Sequence, residues 1–194
     1  MLSWIKQLVA KPAQPNVPTP DHLKLAVLKK DIPRYPPFMK GLPLETPEDI
    51  IAVQSELMVQ LAQSTKVTKP AFEEFYKSAI LRFARYVHLL PASQAHHHRG
   101  AGGLLRHSIE VGLWALREAD KMLLLDLCKT PGHRREIEPR WLLTAFLAGL
   151  CHDIGKPATD VWVRTHASTK QWNPIECSLW EWADPDGFPS YSLE

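Results

Sequence analysis

The chain has 194 residues, 45% of them hydrophobic and seven of them tryptophan, which is material for one packed domain, or one domain with an irregular arm. A formal charge of +2 argues against a chain that grips nucleic acid or membrane through bulk charge, so any basic footprint must be local. Cys128, Cys151 and Cys177 are odd in number and lack close metal-ligand spacing, which points to a reducing compartment and against a disulfide framework.

No apolar run reaches the ~18 residues of a membrane span. The opening "MLSWIKQLVAKPAQP" lacks the apolar length and cleavage site of an export signal. A cytoplasmic protein without membrane insertion is the expectation. Nine of the seventeen prolines fall in the first 47 residues, and no helical or alternating pattern survives between Lys11 and Pro47. Residues 1–45 read as a Pro-rich extended arm, packed through "IPRYPPF", with a disordered leader over 1–30 as the alternative. From Thr46 the signals turn helical. Thr46 suits an N-cap, Pro47 the first turn, and Glu48 and Asp49 the positive helix end, ahead of an apolar stripe of Ile50, Val53, Leu57 and Leu61.

A second helix is predicted over 70–89, with Phe72, Tyr76, Ile80, Phe83 and Val87 at helical spacing and Pro91 as its stop. A third spans Leu104 to Leu127. A fourth runs from Pro139, in its opening turn, to about Asp153, and a short one covers Pro174–Ala183. No stretch alternates convincingly enough to predict a strand, so the fold class is mostly α, with one domain over 46–194.

Four of the nine histidines lie between His96 and His107. On the third helix Leu104, His107, Val111, Ala115 and Glu118 share a face, which turns His107 toward the apolar side, while Arg106 and Glu110 form an i,i+4 pair. Alone, an inward histidine is a hydrogen-bonded core residue as readily as a ligand. The fourth helix, "WLLTAFLAGL", is apolar on every side except Thr144, which predicts a central helix ending in Cys151, His152 and Asp153 before Gly155 stops it. A carboxylate buried at that end costs several kcal/mol unless paired or bound to a cation. Lys156, an arginine or a metal ion can answer it. His107, His152 and Asp153 suit a divalent metal (Mn, Fe, Mg or Zn), which acidifies bound water and draws charge off a phosphoryl group, with Lys156 placed to hold phosphate.

At these residues the chain resembles the HD superfamily of metal-dependent phosphohydrolases, whose pattern is a histidine, a later His-Asp pair and a distal aspartate. His107 matches the first histidine, His152 and Asp153 the pair, and Lys156 the lysine of the His-Asp-x-Gly-Lys form. "HLLPAS", "HHHRGAGGLLRHS", "IPRYPPFMKGLP", "EPRW" and "GLCHDIGKP…WNP" are similar to the MobH-type relaxases, the TraI-like proteins of conjugative elements, over about Ile32 to Trp182. The resemblance implies an HD-domain-like helical bundle, truncated at its C-terminus relative to the full-length protein. It implies metal-dependent nicking of single-stranded DNA at a transfer origin, alongside other relaxosome or coupling proteins. A nucleotide phosphohydrolase and a non-catalytic DNA- or protein-binding scaffold are the alternatives.

Asp160, Asp184 and Asp186 are the candidates for a distal aspartate, and the fourth ligand is expected beyond residue 194. Consecutive helical residues diverge by about 100°, so His96, His97 and His98 reach one ion together only from a loop, which Gly100, Gly102 and Gly103 permit. His97 and His98 are the catalytic candidates beside Lys156, and His96, Arg99 and Arg106 the nucleic-acid contacts; a polar surface loop is the plain alternative. Tyr35, Tyr76, Tyr86 and Tyr191 are the only tyrosines, and none has a spacing that marks a DNA nucleophile. "KTPGHRREIEPR" reads as a solvated loop or a phosphate grip, and Trp172, Trp180 and Trp182 as core residues or base-stacking surfaces.

Overall fold

The computed structural model describes residues 41–93, 97–123, 130–165, 170–183 and 190–193; all but the last five residues of the expected arm lie outside them. The elements are β1 (Leu42–Pro43), α1 (Pro47–Ala52), α2 (Ser55–Thr65), then α3, a rod made of Lys69–Ala71, a π-helical turn at Phe72–Lys77, and Ser78–Val87. They continue with α4 (Gly103–Leu123), α5 (Pro131–Leu150), α6 (Lys156–Thr159), β2 (Val163–Thr165), α7 (Leu179–Ala183) and β3 (Ser190–Leu193). The fold is a mostly helical bundle, the class the sequence predicts. No helix among the described residues is long and apolar enough to cross a membrane.

The first stripe buries Ile50, Val53, Leu57 and Leu61, but as two helices. Thr46 caps α1 by accepting the Asp49 amide at 3.2 Å. The Gln54 amide then reaches back only three residues, to the Ile51 carbonyl at 2.8 Å, and this tighter turn ends α1. On α3 the predicted stripe from Phe72 to Val87 is buried throughout, the π turn excepted from what periodicity foresees.

Three corrections concern the second half. Three short antiparallel strands exist in the order β1-β3-β2, pairing Leu42 with Tyr191 and Val163 with Leu193; two to four residues are too few to display an alternating pattern. Pro131, not Pro139, opens α5, behind a Thr130 cap that accepts the His133 amide at 3.2 Å. Pro139 is accommodated inside the helix, where its missing N–H forfeits one backbone bond. The stretch read as a loop is a solvated helix whose apolar stripe is absent but whose Arg134 and Glu138 pair at 3.2 Å across one turn. Nor is α5 central: it buries Leu142, Phe146, Gly149 and Leu150, while Trp141, Thr144, Ala148 and Cys151 face solvent. Small apolar residues allow a helix to be greasy all round without being enclosed.

The most extensive helix pair is α4 with α5. At Gly149 the two backbones meet directly, since a Cβ there would lie 2.7 Å from the Gly112 Cα, and one on Gly112 would lie 2.9 Å from the Phe146 ring. Gly149→Ala is therefore expected to destabilise the fold by about 1–3 kcal/mol through overpacking, measured by chemical denaturation; an unchanged midpoint would contradict the close crossing.

A second scaffold forms where α3 ends. His88 is fully buried at φ 46, a backbone conformation rare outside glycine. Its Nε2 lies 2.8 Å from the Glu45 carbonyl and its Nδ1 2.9 Å from the Tyr191 hydroxyl, which also accepts the Leu89 amide at 3.2 Å. One imidazole thus bolts the chain before α1 and β3 to the end of α3. Burial lowers the His88 pKa from 6.5 to about 4, so the unfolded chain takes up a proton there that the folded chain refuses. The contribution is complete above 6.5 and is lost as pH falls toward 4. Unfolding free energy should drop between pH 6.5 and 5 by up to ~1.4 kcal/mol per unit, with a shallower slope in His88→Gln; equal slopes would rule this out.

Candidate metal centre

His107 lies one turn into α4. Helical geometry puts it about 180° around from Leu116 and about 200° from Ile109, both buried, so it points away from the core. This corrects its expected place on the apolar side: of the face it shares, only Leu104 is buried. Its cover comes from the histidine loop and the end of α5. Asp153 is likewise not enclosed by a buried helix, since its side chain keeps 20% exposure.

The α4–α5 crossing nevertheless brings the three groups together. His107 Nε2 and His152 Nε2 are 3.2 Å apart, His152 Nε2 and Asp153 Oδ2 3.2 Å, and His107 Nε2 and Asp153 Oδ2 3.5 Å. His152 Nδ1 lies 2.7 Å from the Gly149 carbonyl, an acceptor, so Nδ1 carries a proton and, without a second proton, Nε2 turns a lone pair inward. That lone pair faces a carboxylate oxygen. Two acceptors at 3.2 Å repel unless a proton or cation sits between them.

A triangle with edges of 3.2, 3.2 and 3.5 Å has a circumscribed radius of about 1.9 Å. That spacing fits a divalent ion, which bonds nitrogen and oxygen ligands at about 2.1 Å and would be held by these three residues. The three residues can hold a metal ion.

Partial burial opposes ionisation of Asp153, but the Lys156 hydrogen bond and the neighbouring imidazoles outweigh it and hold the carboxyl below its usual range. Burial, with His152 and His98 nearby, lowers the His107 pKa, which favours the neutral ring a metal requires. Lys156 Nζ lies 2.8 Å from Asp153 Oδ2 and donates to the Ala92 carbonyl at 3.1 Å, tying the histidine loop to the end of α5.

That loop is built by backbone pairing. Ala92 N donates to His98 O at 3.0 Å, Gly102 N to Leu89 O at 2.8 Å and Leu104 N to Leu90 O at 3.0 Å, so the loop hangs directly from the His88 bolt. Gly102 takes φ 73, and a Cβ on Gly103 would lie 1.9 Å from the His98 carbonyl oxygen. His98 and His97 thereby come to ring-centroid distances of 5.3 and 6.5 Å from His107. His98 Nε2 pairs with Glu110 Oε2 at 3.0 Å, while Arg106 takes Glu110 Oε1 at 2.9 Å. Burial opposes ionisation of Glu110, but His98 and Arg106 more than offset it, and its carboxyl is held below the usual range. Sequence reasoning paired Glu110 only with Arg106; its role toward His98 had no local signal, because the loop partner lies twelve residues away.

Arg106 is directed to Glu110, Arg99 is exposed, and His96, Tyr35, Asp184 and Asp186 lie outside the described residues. Asp160 is exposed and accepts from the Thr159 hydroxyl at 2.6 Å. Tyr76 is buried, with its hydroxyl pushed up to about 12 by burial, and Tyr191 is locked to His88. Tyr86 donates to the Ile154 carbonyl at 3.4 Å, so no described tyrosine hydroxyl bonds to the three clustered residues. Trp172 is buried against Tyr86, and Trp180 stacks on His88.

Fold and site together define a helical bundle with two histidines and a carboxylate converging at the end of its tightest helix pair. The chain belongs to the TraI_2 family, described as "Putative helicase", which it matches over residues 41–194. It is a TraI-like region related to conjugative relaxases. No curated protein and no solved structure matches it. The Gly-x4-Gly-Lys-Ser/Thr phosphate loop of ATP-driven motors does not occur in these 194 residues, where the one Gly-Lys pair, Gly155-Lys156, is followed by Pro157.

Glu110→Ala should cost at most about 1 kcal/mol, since the pair is partly solvated. It should also release His98 from a single tautomer, read from ring nitrogen shifts by NMR. An unchanged His98 spectrum would show that the carboxylate does not orient it.

Proposed function

We propose that this chain is the HD-like region of a MobH-type conjugative relaxase, which cuts and processes single-stranded DNA at a transfer origin in the cytoplasm with a divalent metal. In this reading residues 46–194 form the HD-like domain and 1–45 its Pro-rich arm, and other relaxosome or coupling proteins are its partners. The observation that carries the proposal is the convergence of two imidazole nitrogens and a carboxylate oxygen within 4.8 Å of one another. Membership of a TraI-like family supports it.

His107, His152 and Asp153 would hold the ion, with manganese, iron, magnesium and zinc all compatible with two nitrogens and one oxygen. Such an ion supplies positive charge where a phosphodiester develops negative charge, and it acidifies water. Lys156 keeps Asp153 ionised and has further N–H capacity for a phosphate oxygen. His98, paired with Glu110 and 5.3 Å ring to ring from His107, would take a proton from the incoming oxygen or give one to the departing oxygen. His97, exposed beside it, is the second histidine available for that exchange or for a phosphate contact. The triad lies on the outer side of α4 with each side chain 20–34% exposed, an opening suited to a strand passing over the surface.

The test uses the protein at its natural length and a single-stranded transfer-origin oligonucleotide. Cleavage should require added divalent metal and fall to background in His152→Ala and Asp153→Ala. Phosphate release from free nucleotides without strand cleavage would reassign the site to nucleotide hydrolysis. Conjugative transfer unaffected by both substitutions would reduce it to a scaffold.

A further inference from the structure

Trp114 stands 60% exposed on α4, seven residues beyond His107. Seven helical residues rotate by about 700° and rise about 10.5 Å, so the indole lies within about 20° of His107's direction, two turns along the same outward ridge. Beside it a surface cavity of about 360 Å³ opens between α2 and α4, lined among others by Gln63, Ser64, Lys66, Arg117 and Lys121. The Arg117 guanidinium lies 5.5 Å from the Trp114 ring centroid, held by Ser64 Oγ and Gln60 Oε1 at 3.4 Å each.

The charges around the cavity are unequal in what they leave available. Lys66 is taken by Asp120 at 2.6 Å and Glu138 at 3.2 Å, and Lys121 by Glu118 at 2.5 Å. The hydrogen-bond partners of Arg117 among the described residues are neutral, and its guanidinium lies over one face of the Trp114 ring. A flat indole flanked by a guanidinium is the usual platform for a nucleobase, every base having a π-face to stack, with the cation meeting the adjoining phosphate.

We propose that Trp114 and Arg117 form a base-stacking subsite for single-stranded DNA, two helical turns from the histidine–aspartate cluster. The subsite rests on the single-strand reading above and adds to it the contact that aligns the strand. It binds mainly by stacking, because the surrounding charges nearly cancel. The strand runs along the α4 ridge from the indole toward His107, and affinity here is tolerant of sequence.

The experiment measures binding of a labelled oligodeoxythymidylate to the whole chain by fluorescence anisotropy over a salt series. Trp114→Ala should weaken binding about tenfold or more while leaving the salt dependence unchanged, and Trp114→Phe should keep most of the affinity. Arg117→Gln should reduce the log–log salt slope by about 0.7, the value for one phosphate contact on a single strand. At 60% exposure Trp114 is not needed for folding, so thermal midpoints should match the wild type. Wild-type binding that survives Trp114→Ala overturns the subsite alone and leaves this face to another occupant, such as a protein partner. Loss equal in the Phe and Ala variants overturns stacking as its basis. A wild type that binds no oligonucleotide overturns both this proposal and the single-strand reading.

Discussion

Between Gly112 and Gly149 two helices touch backbone to backbone, and the site depends on that contact. A Cβ on Gly149 would meet the Gly112 Cα at 2.7 Å, so neither position tolerates a spacer. His107 is five residues before one glycine and His152 three after the other, which carries the close crossing directly into the 3.2 Å approach of their Nε2 atoms. The same glycine that makes the crossing possible also orients the ring, since Gly149 O faces His152 Nδ1 at 2.7 Å. Helix packing and ligand geometry are here one constraint.

The second half of the site hangs from a different anchor. His88 joins three parts of the chain distant in sequence, and the backbone pairing that begins at Leu89 delivers His98 to the flank of His107. Lys156 closes the circuit by bonding both the loop carbonyl of Ala92 and the Asp153 carboxylate. Two scaffolds of different construction, one a glycine crossing and one a polar bolt, therefore converge on the same few ångströms. The three clustered side chains remain 20–34% exposed. His107 comes from α4, and His152 and Asp153 from the residues just past the end of α5.

Much of this was legible from residue order. The helical periodicities of Ile50 to Leu61 and Phe72 to Val87 translate into buried stripes, and the dipeptide His152-Asp153 with His107 names the three side chains that meet. What failed did so for identifiable reasons. Periodicity gives a face but not which face is covered, so His107 was placed inward when loops, not core, shield it. An all-apolar run of alanines and leucines cannot be told from a central helix, though α5 exposes Ala148 and Thr144. Strands of two to four residues carry no pattern, and a solvated helix such as 131–140 has no stripe to announce it. Glu110 as the partner of His98, and Trp114 as an exposed aromatic, are products of tertiary placement.

The central claim is that the acceptors converging at His107, His152 and Asp153 are reconciled by a shared dication. Anomalous diffraction from crystals grown with manganese tests it most directly. The account predicts one peak per chain at about 2.0–2.2 Å from both Nε2 atoms and the Asp153 oxygen. A fully metal-loaded crystal with its peak elsewhere, and these three groups turned away from one another, would contradict it.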